Sequence, residues 1–392
     1  MAKRGNGEGS KPRKRPDGRW EARYTVQTGT GTKRPTVYGK TRAEVSTKLT
    51  KALADRDGGL IFDDEGAKVG AFLDRWLKDS VRDTVRASTF ERCESIANLH
   101  IKPVIGHVKL KNLKPDHVAA LYRDRLDAGL SPATVNKIHV VLHKALKLAV
   151  RWGKVPRNAT EAVTPPRPAP DEVRPLDSTQ VATLLSGASG DRLEALYVLA
   201  VTTGARQGEL LALKWEDVDL DGRKLHIRRT LTRSKGTMTV GEPKTKKSRR
   251  TIPLTRRAAV ALTAHRARQN EEKLRASYRA GIPDEGKPPK HNVYEDRGLV
   301  FATKNGGIIN PSNLRNRSFA KLLKRAKLPE TTRFHDLRHT CATIMLKAGQ
   351  HPKLVQELLG HATIAITLDT YSHVLPGMGD GLADAMDDAI GG

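Results

Sequence analysis

At 392 residues the chain is long for a single domain, and two or three compact units are expected. Against 43 Asp and Glu stand 70 Lys and Arg, so the net charge is +27 and the pI about 10.2, a field that attracts polyanions, nucleic acid above all. The two cysteines, Cys93 and Cys341, lie far apart, which excludes a disulfide framework and a zinc ribbon. The basic N-terminus has no apolar stretch behind it, unlike a secretion signal, and no run approaches the ~18 apolar residues of a membrane span. The expected compartment is a reducing cytoplasm with access to DNA.

Residues 1 to about 15 are rich in Gly, Lys and Arg and are expected to order only against a polyanion. Trp20, Ala22, Tyr24 and Val26 then alternate at strand period, GTGTK supplies a turn, and RPTVYGK offers a second strand. A helix follows from Thr41, with apolar Val45, Leu49 and Leu53 and a stop at Gly58-Gly59. Residues 1–60 carry 15 basic and 6 acidic side chains, so this small module reads as DNA-binding ahead of protein-binding.

Residues 67 to about 162 read as wholly helical. Ser88-Thr89-Phe90-Glu91 has capping-box form, and KPDHVAALYRDRLDAG is a helix closed by Gly129. Ser131-Pro132 supplies the next N-cap, with proline in the first helical position. Val135, Ile138, Leu142, Leu146 and Ala149 form its apolar stripe, and Lys137, Lys144, Lys147 and Arg151 lie off it, on a face suited to tracking phosphates. TPPRPAPDEVRP, from Thr164 to Pro175, is a linker; at ~3.1 Å per residue, ten such residues reach ~30 Å, more than the width of a duplex. From Asp177 the pattern is mixed: helices, short strands near KLHIRRTL and RRTIPL, then helices again. The fold class expected is multidomain α+β: a small sheet-plus-helix module, an all-α domain, and a mixed, mainly-α domain with a small antiparallel sheet.

The last domain holds the chemistry. TGARQGELLAL places Arg206 just after a glycine turn, and GEPKTKKSRRTIPL puts Lys244 in the turn of an expected hairpin. FHDLRHT carries His335 and Arg338 one helical turn apart, on one face. LGHATIAITLDTYSH brings His361 and, ten residues on, Tyr371. His335 and His339 are spaced like zinc ligands, but no acidic third ligand follows, so neither metal nor cofactor is assigned. Singly each piece is weak; together they meet the needs of phosphodiester transesterification. Guanidinium forks contact two phosphate oxygens and keep their charge. Tyrosine, with a pKa of ~10, is a poor nucleophile until a neighbour such as histidine takes its proton. A lysine can protonate the departing 5′ oxygen, and a phosphotyrosine stores the bond energy, so rejoining needs no ATP.

Arg206, Lys244, His335-x-x-Arg338, His361 and Tyr371, with TTGARQGELLALKWEDVD, HDLRHTCAT and LGHATIAITLDTYSH around them, resemble the tyrosine recombinase (phage integrase) family in order and near-family spacing. The resemblance covers residues 177–376 strongly and the helical segment more loosely. It implies that Arg206 and Arg338 bind the scissile phosphate, Lys244 is the general acid, His335 an acid/base, His361 a hydrogen-bond donor to the phosphate, and Tyr371 the nucleophile forming a 3′-phosphotyrosyl link. Lys246 and Lys247 remain rivals for the lysine role, while Glu209 and Asp336 orient these groups. The implied division is an arm-type DNA-binding module with its basic tail (1–62), a core-binding domain (66–163), the linker (164–176), the catalytic domain (177–376) and a tail (377–392). Along that tail Met378, Leu382, Met386 and Ile390 share one side and dock on a neighbouring protomer. The implied partners are double-stranded DNA at core and arm sites, three further copies in a tetramer, and accessory DNA-bending and directionality proteins, with no membrane. A dimer-resolving recombinase and a type IB topoisomerase use the same chemistry; the N-terminal module favours a mobile-element integrase.

Overall fold

The computed structural model describes residues 9–28, 31–57, 66–168, 174–234, 236–243, 248–280, 294–371, 386–388 and 390–391. Lys244, Lys246, Lys247, the Gly58-Gly59 stop, and Met378 and Leu382 of the tail fall outside these residues; Met386 and Ile390 fall within them and are exposed. The fold is multidomain α+β and mainly helical, and the chain divides into two compact units, residues 1–170 and 171–392.

The first unit opens with the sheet-plus-helix module. Strands β1 (Arg13–Lys14), β2 (Trp20–Arg23) and β5 (Thr36–Gly39) form an antiparallel sheet in the order β1-β2-β5. Between β2 and β5 the chain inserts a separate ribbon, β3 (Val26–Thr28) paired with β4 (Gly31–Lys33), where the sequence pattern suggests one hairpin. Helix α1 (Arg42–Asp57) lays Val45 and Leu49 on Ala22, with Trp20, Tyr24, Val37 and Leu53 around them. Glu21 is buried on β2 and accepts from Arg13 Nε at 2.6 Å.

The helices α2 (Val69–Trp76), α3 (Ala87–Ile96), α4 (Lys102–Ile105), α5 (Pro115–Asp127) and α6 (Pro132–Arg151) share one apolar core. Ser131 caps α6 by accepting from the Thr134 N–H, and the stripe from Val135 to Ala149 is buried. The capping box expected at Ser88 is absent: Arg86 is the last extended residue, so Ser88 is already inside α3 and cannot cap it.

The second unit is built around α8 (Glu194–Thr203), which is apolar on nearly every side and buried along its length. Helix α7 (Ser178–Gly187) precedes it behind an Asp177–Gln180 capping box. After α9 (Gln207–Leu210) come β6 (Val218–Asp219), β7 (Lys224–Ile227) and β10 (Arg250–Pro253), an antiparallel sheet in the order β10-β7-β6. Strands β8 (Thr230–Ser234) and β9 (Thr237–Gly241) form a ribbon whose turn includes Gly236 at φ +78°. The chain continues through α10 (Arg256–Ala280), α11 (Pro311–Asn313), α12 (Ala320–Arg325), α13 (Asp336–Lys347), α14 (Pro352–Leu359) and α15 (Ile364–Tyr371). Thr340 of α13 accepts from the Leu176 N–H at 3.0 Å, tying the start of this unit to a helix near its end.

Two helix ends meet where the site forms. Both α8 and α14 close on left-handed glycines, Gly204 at φ +59° and Gly360 at φ +67°. A Cβ on Gly204 would stand 2.6 Å from Leu359 Cδ2, so only glycine allows both the turn and the approach. Gly204→Ala should therefore cost about 1–3 kcal/mol in urea unfolding of the second unit; unchanged stability would mean that the α8–α14 contact is slack.

Candidate active site

Three pieces of chain bring charged side chains to the C-terminal end of α14. Arg206 follows Gly204 as the N-cap of α9, and its Nη1 donates to Glu209 Oε1 at 2.9 Å. Arg250 begins β10, where strand alternation turns Arg250, Ile252 and Leu254 inward and leaves Arg249 exposed. Arg338 lies one turn into α13 and is buried.

The three guanidinium groups take three consecutive carbonyls. Arg250 Nε donates to Leu358 O at 2.6 Å, Arg338 Nη2 to Leu359 O at 2.8 Å, and Arg206 Nη2 to Gly360 O at 3.4 Å. Arg338 Nη1 also donates to Gly204 O at 2.7 Å. These carbonyls sit at the negative end of the α14 dipole and have no partner inside the helix, so cations are stabilised there. A Cβ on Gly360 would come within 3.1 Å of Arg250 Nη1, which keeps that position free of any side chain.

Among the described residues Glu209 is the one carboxylate bonded within this group: it takes Arg206 on one oxygen and Arg250 Nη2 on the other, at 2.9 Å each. Burial pushes its carboxyl upward, but the Arg250 hydrogen bond and charge, with Arg206 behind, outweigh burial and hold it below the ordinary value. Arg338 is pushed down to about 9, by burial first and then by Arg206 and Arg250, and so is still cationic at neutral pH. Arg206 keeps 39% of its side chain exposed against 8% for Arg250, so of the three guanidinium groups Arg206 is the open one.

The proton-handling groups lie beside this cluster. His335 ends the loop before α13 with one side open to solvent, and its ring meets His339 edge-on at 5.2 Å. The Tyr371 ring is only 1% exposed, packed among Ala342, Leu346, Val355 and Leu359, and its hydroxyl is 2.8 Å from His339 Nδ1. His361 follows Gly360, and its Nδ1 is 2.9 Å from the hydroxyl of buried Thr367. Gln356 Nε2 donates to His361 O at 2.6 Å, fixing the turn between α14 and α15. Burial lowers all three histidines: His335 with help from Arg338, His339 to about 4 with help from His335, and His361 to about 4 with help from Arg338 and Arg206. Burial pushes Tyr371 up to about 12. At neutral pH the imidazoles are neutral and the phenol keeps its proton. Asp336 accepts from the Arg333 N–H and Nε and fixes the entry to α13.

Arg206, Arg338, His361 and Tyr371 thus share one site with His335 at its edge, and Lys244 lies outside the described residues, between β9 and β10 rather than in the Gly236 turn. Two members were missed by sequence reasoning. Arg250 is hidden in the basic run KKSRR, although the inward alternation ending in Ile252 and Leu254 marks it. His339 was weighed only as a metal ligand; among the described residues no three His, Cys, Asp or Glu side chains are grouped to hold a metal. A cavity of about 730 Å³ adjoins the site, lined in part by Lys214, Arg228, Arg229 and Arg249. No helix among the described residues is long and apolar enough to cross a membrane.

Residues 174–377 match the phage integrase family and residues 68–126 the phage integrase N-terminal SAM-like domain. The chain is 33% identical to a tyrosine recombinase XerC-like protein of Caldanaerobacter subterraneus subsp. tengcongensis, across 86% of this chain and 88% of that one. It is 29% identical to an integrase of Streptomyces ambofaciens, across 85% and 83%. The Tn1549 transposon integrase, solved in complex with a circular intermediate DNA, shares the fold with a TM-score of 0.66 at 22% identity, across 82% of this chain and 99% of that one.

Glu209→Gln leaves three guanidinium groups around a neutral amide and should cost about 3–5 kcal/mol at neutral pH. Because Glu209 titrates below 4.5 in the folded chain, its contribution is complete above that value and is lost as pH falls through the lowered one. Unfolding curves of the two proteins should therefore converge in acid; a constant gap would show that the charge of Glu209 is not what matters.

Proposed function

Since the chain belongs to the phage integrase family, we propose that it is a site-specific DNA recombinase that cuts and rejoins strands through Tyr371. The observation that carries this reading is the convergence of Arg206 and Arg338 beside a tyrosine whose hydroxyl is already hydrogen-bonded to a neutral imidazole.

Arg206 and Arg338 grip the non-bridging oxygens of the scissile phosphate and neutralise the charge that builds in the pentavalent transition state. The Tyr371 oxygen attacks phosphorus, its proton passes to the protein, and the bond to the 5′ oxygen breaks. Lys244 protonates that oxygen, with Lys246 and Lys247 as rivals. The 3′-phosphotyrosyl link conserves the bond, and attack by a free 5′ hydroxyl reverses each step. His335 serves as acid/base at the open edge. The Thr367 hydroxyl, 2.9 Å from Nδ1 of His361, engages that nitrogen and leaves Nε2 to serve a phosphate oxygen, which it does as the tautomer protonated there.

Exchange between two duplexes requires four strand cuts, and each chain supplies one Tyr371, which supports a homotetramer on DNA. The helical domain (66–163) and the catalytic domain (177–376), joined by the linker (164–176), both bind the core site. The module at 1–62 binds arm sites, and the tail at 377–392 docks on a neighbour. Together these favour integration and excision of a phage or other mobile element in the bacterial cytoplasm, assisted by DNA-bending and directionality proteins. The second reading, resolution of replicon dimers, draws support from the XerC-like relative.

Trapping tests the chemistry. Wild type incubated with fragmented DNA of the source genome and then denatured should carry covalent ends that converge on one short inverted repeat. Tyr371→Phe should bind that site and form no adduct, and an adduct in that variant would refute the nucleophile. Arg206→Lys should lose about 10²–10³-fold in rate, because an ammonium offers no second contact. Removing residues 1–60 should leave cleavage intact and abolish recombination between sites; full recombination without them would favour dimer resolution.

A further inference from the structure

We infer that His339 is a further catalytic residue, the base that takes the Tyr371 proton during strand cleavage and returns it during rejoining. The inference rests on Tyr371 being the nucleophile. Three observations carry it. His339 Nδ1 is 2.8 Å from the Tyr371 hydroxyl, the distance of a hydrogen bond along which a proton can pass. The contact is set by packing rather than by a surface encounter: the ring centroids are 5.7 Å apart, and the tyrosine ring is held by Ala342, Leu346, Val355 and Leu359. The other two histidines are engaged differently, His361 with Thr367 and His335 in ring contact with His339 itself.

The charges around His339 favour its neutral form. On α13 it has Asp336 and Arg338; His335 and Arg333 stand in the preceding loop, His361 on the turn after α14, and Tyr371 on α15. Arg315 and Glu330 line the cavity of about 540 Å³ that His339 borders. Asp336 is the acidic neighbour on the helix, and it is spent on Arg333. A neutral ring with its proton on Nε2 leaves the Nδ1 lone pair facing the phenol. As the phenol oxygen bonds to phosphorus, its proton moves to Nδ1 and the ring becomes imidazolium. The leaving 5′ oxygen takes its proton from elsewhere, the lysine. In rejoining the 5′ hydroxyl attacks, the phosphotyrosyl bond breaks, and the imidazolium hands its proton back.

The test measures adduct formation against pH on a duplex carrying the sequence captured by trapping, with sulfur replacing the bridging 5′ oxygen. A thiolate leaves without a proton, so the rate reports the base and not the acid. Wild type should be level from about pH 6 to 8, because a neutral base is present throughout and Arg338 is still charged. His339→Ala and His339→Gln should bind the duplex as wild type does, form adduct about 10²–10⁴-fold more slowly, and climb roughly tenfold per pH unit as hydroxide takes over. Glutamine can hold the hydroxyl but cannot take its proton. A wild-type rate and level profile in His339→Gln would reduce His339 to a positioning residue and overturn the inference. An unchanged rate in His339→Ala, with adduct absent in Tyr371→Phe, would overturn it and leave the nucleophile standing. Adduct in Tyr371→Phe would overturn both.

Discussion

Buried like charges repel, and this site places three guanidinium groups on one spot. What makes the arrangement possible is the end of α14, whose last carbonyls, Leu358, Leu359 and Gly360, each accept from a different arginine. Among the described residues Glu209 supplies the only full negative charge bonded within the group, and it is shared between Arg206 and Arg250. Much else in the second unit follows from that constraint. Gly360 must lack a side chain because Arg250 passes over it, and Gly204 must lack one because Leu359 presses on it. β10 must carry Arg250 on its inward face, and α13 must start where Arg338 can span from α8 to α14.

The same electrostatics divides the labour of the reaction. Beside fixed cations, in a partly desolvated place, an imidazolium is disfavoured, so His339 and His361 are driven down to about 4. Arginine, even lowered to about 9, keeps its proton. Among the described groups of the site, positive charge thus resides on the arginines, and the histidines and the tyrosine are neutral.

The sequence carried the principal features of this site because its chemistry needs distinctive residues in a fixed order. Arg206 after a glycine turn, His335 and Arg338 one turn apart, and His361 and Tyr371 after LG are legible as letters. The helical stripe from Val135 to Ala149 is legible as a period, and so is the pairing of Ala22 with Val45 and Leu49. The rest depends on which surfaces meet. Helical spacing tells that His335 and His339 share a face, but not that α15 lays a tyrosine against it from 32 residues away. A run of basic letters conceals that Arg249 faces solvent and Arg250 a carboxylate. Ser88 has a cap's composition, yet Arg86 rather than Ser88 is where the backbone turns helical. The ribbon β3–β4 takes over a segment that also reads as a plain hairpin turn, because β2 finds its partner in β5.

The dependence on α14 also sets an order of assembly. Arg206 and Arg250 leave the ribosome long before Leu358, Leu359 and Gly360, and Leu176 finds its partner only when Thr340 has been made. Contacts so far apart in the chain form late, since closing long loops is slow against local helix formation. Until those residues are made, the nascent second unit holds arginines with nowhere to point and lacks Tyr371. A chain that folds as it is made therefore cannot complete this site until Leu358, Leu359, Gly360 and Tyr371 have all emerged.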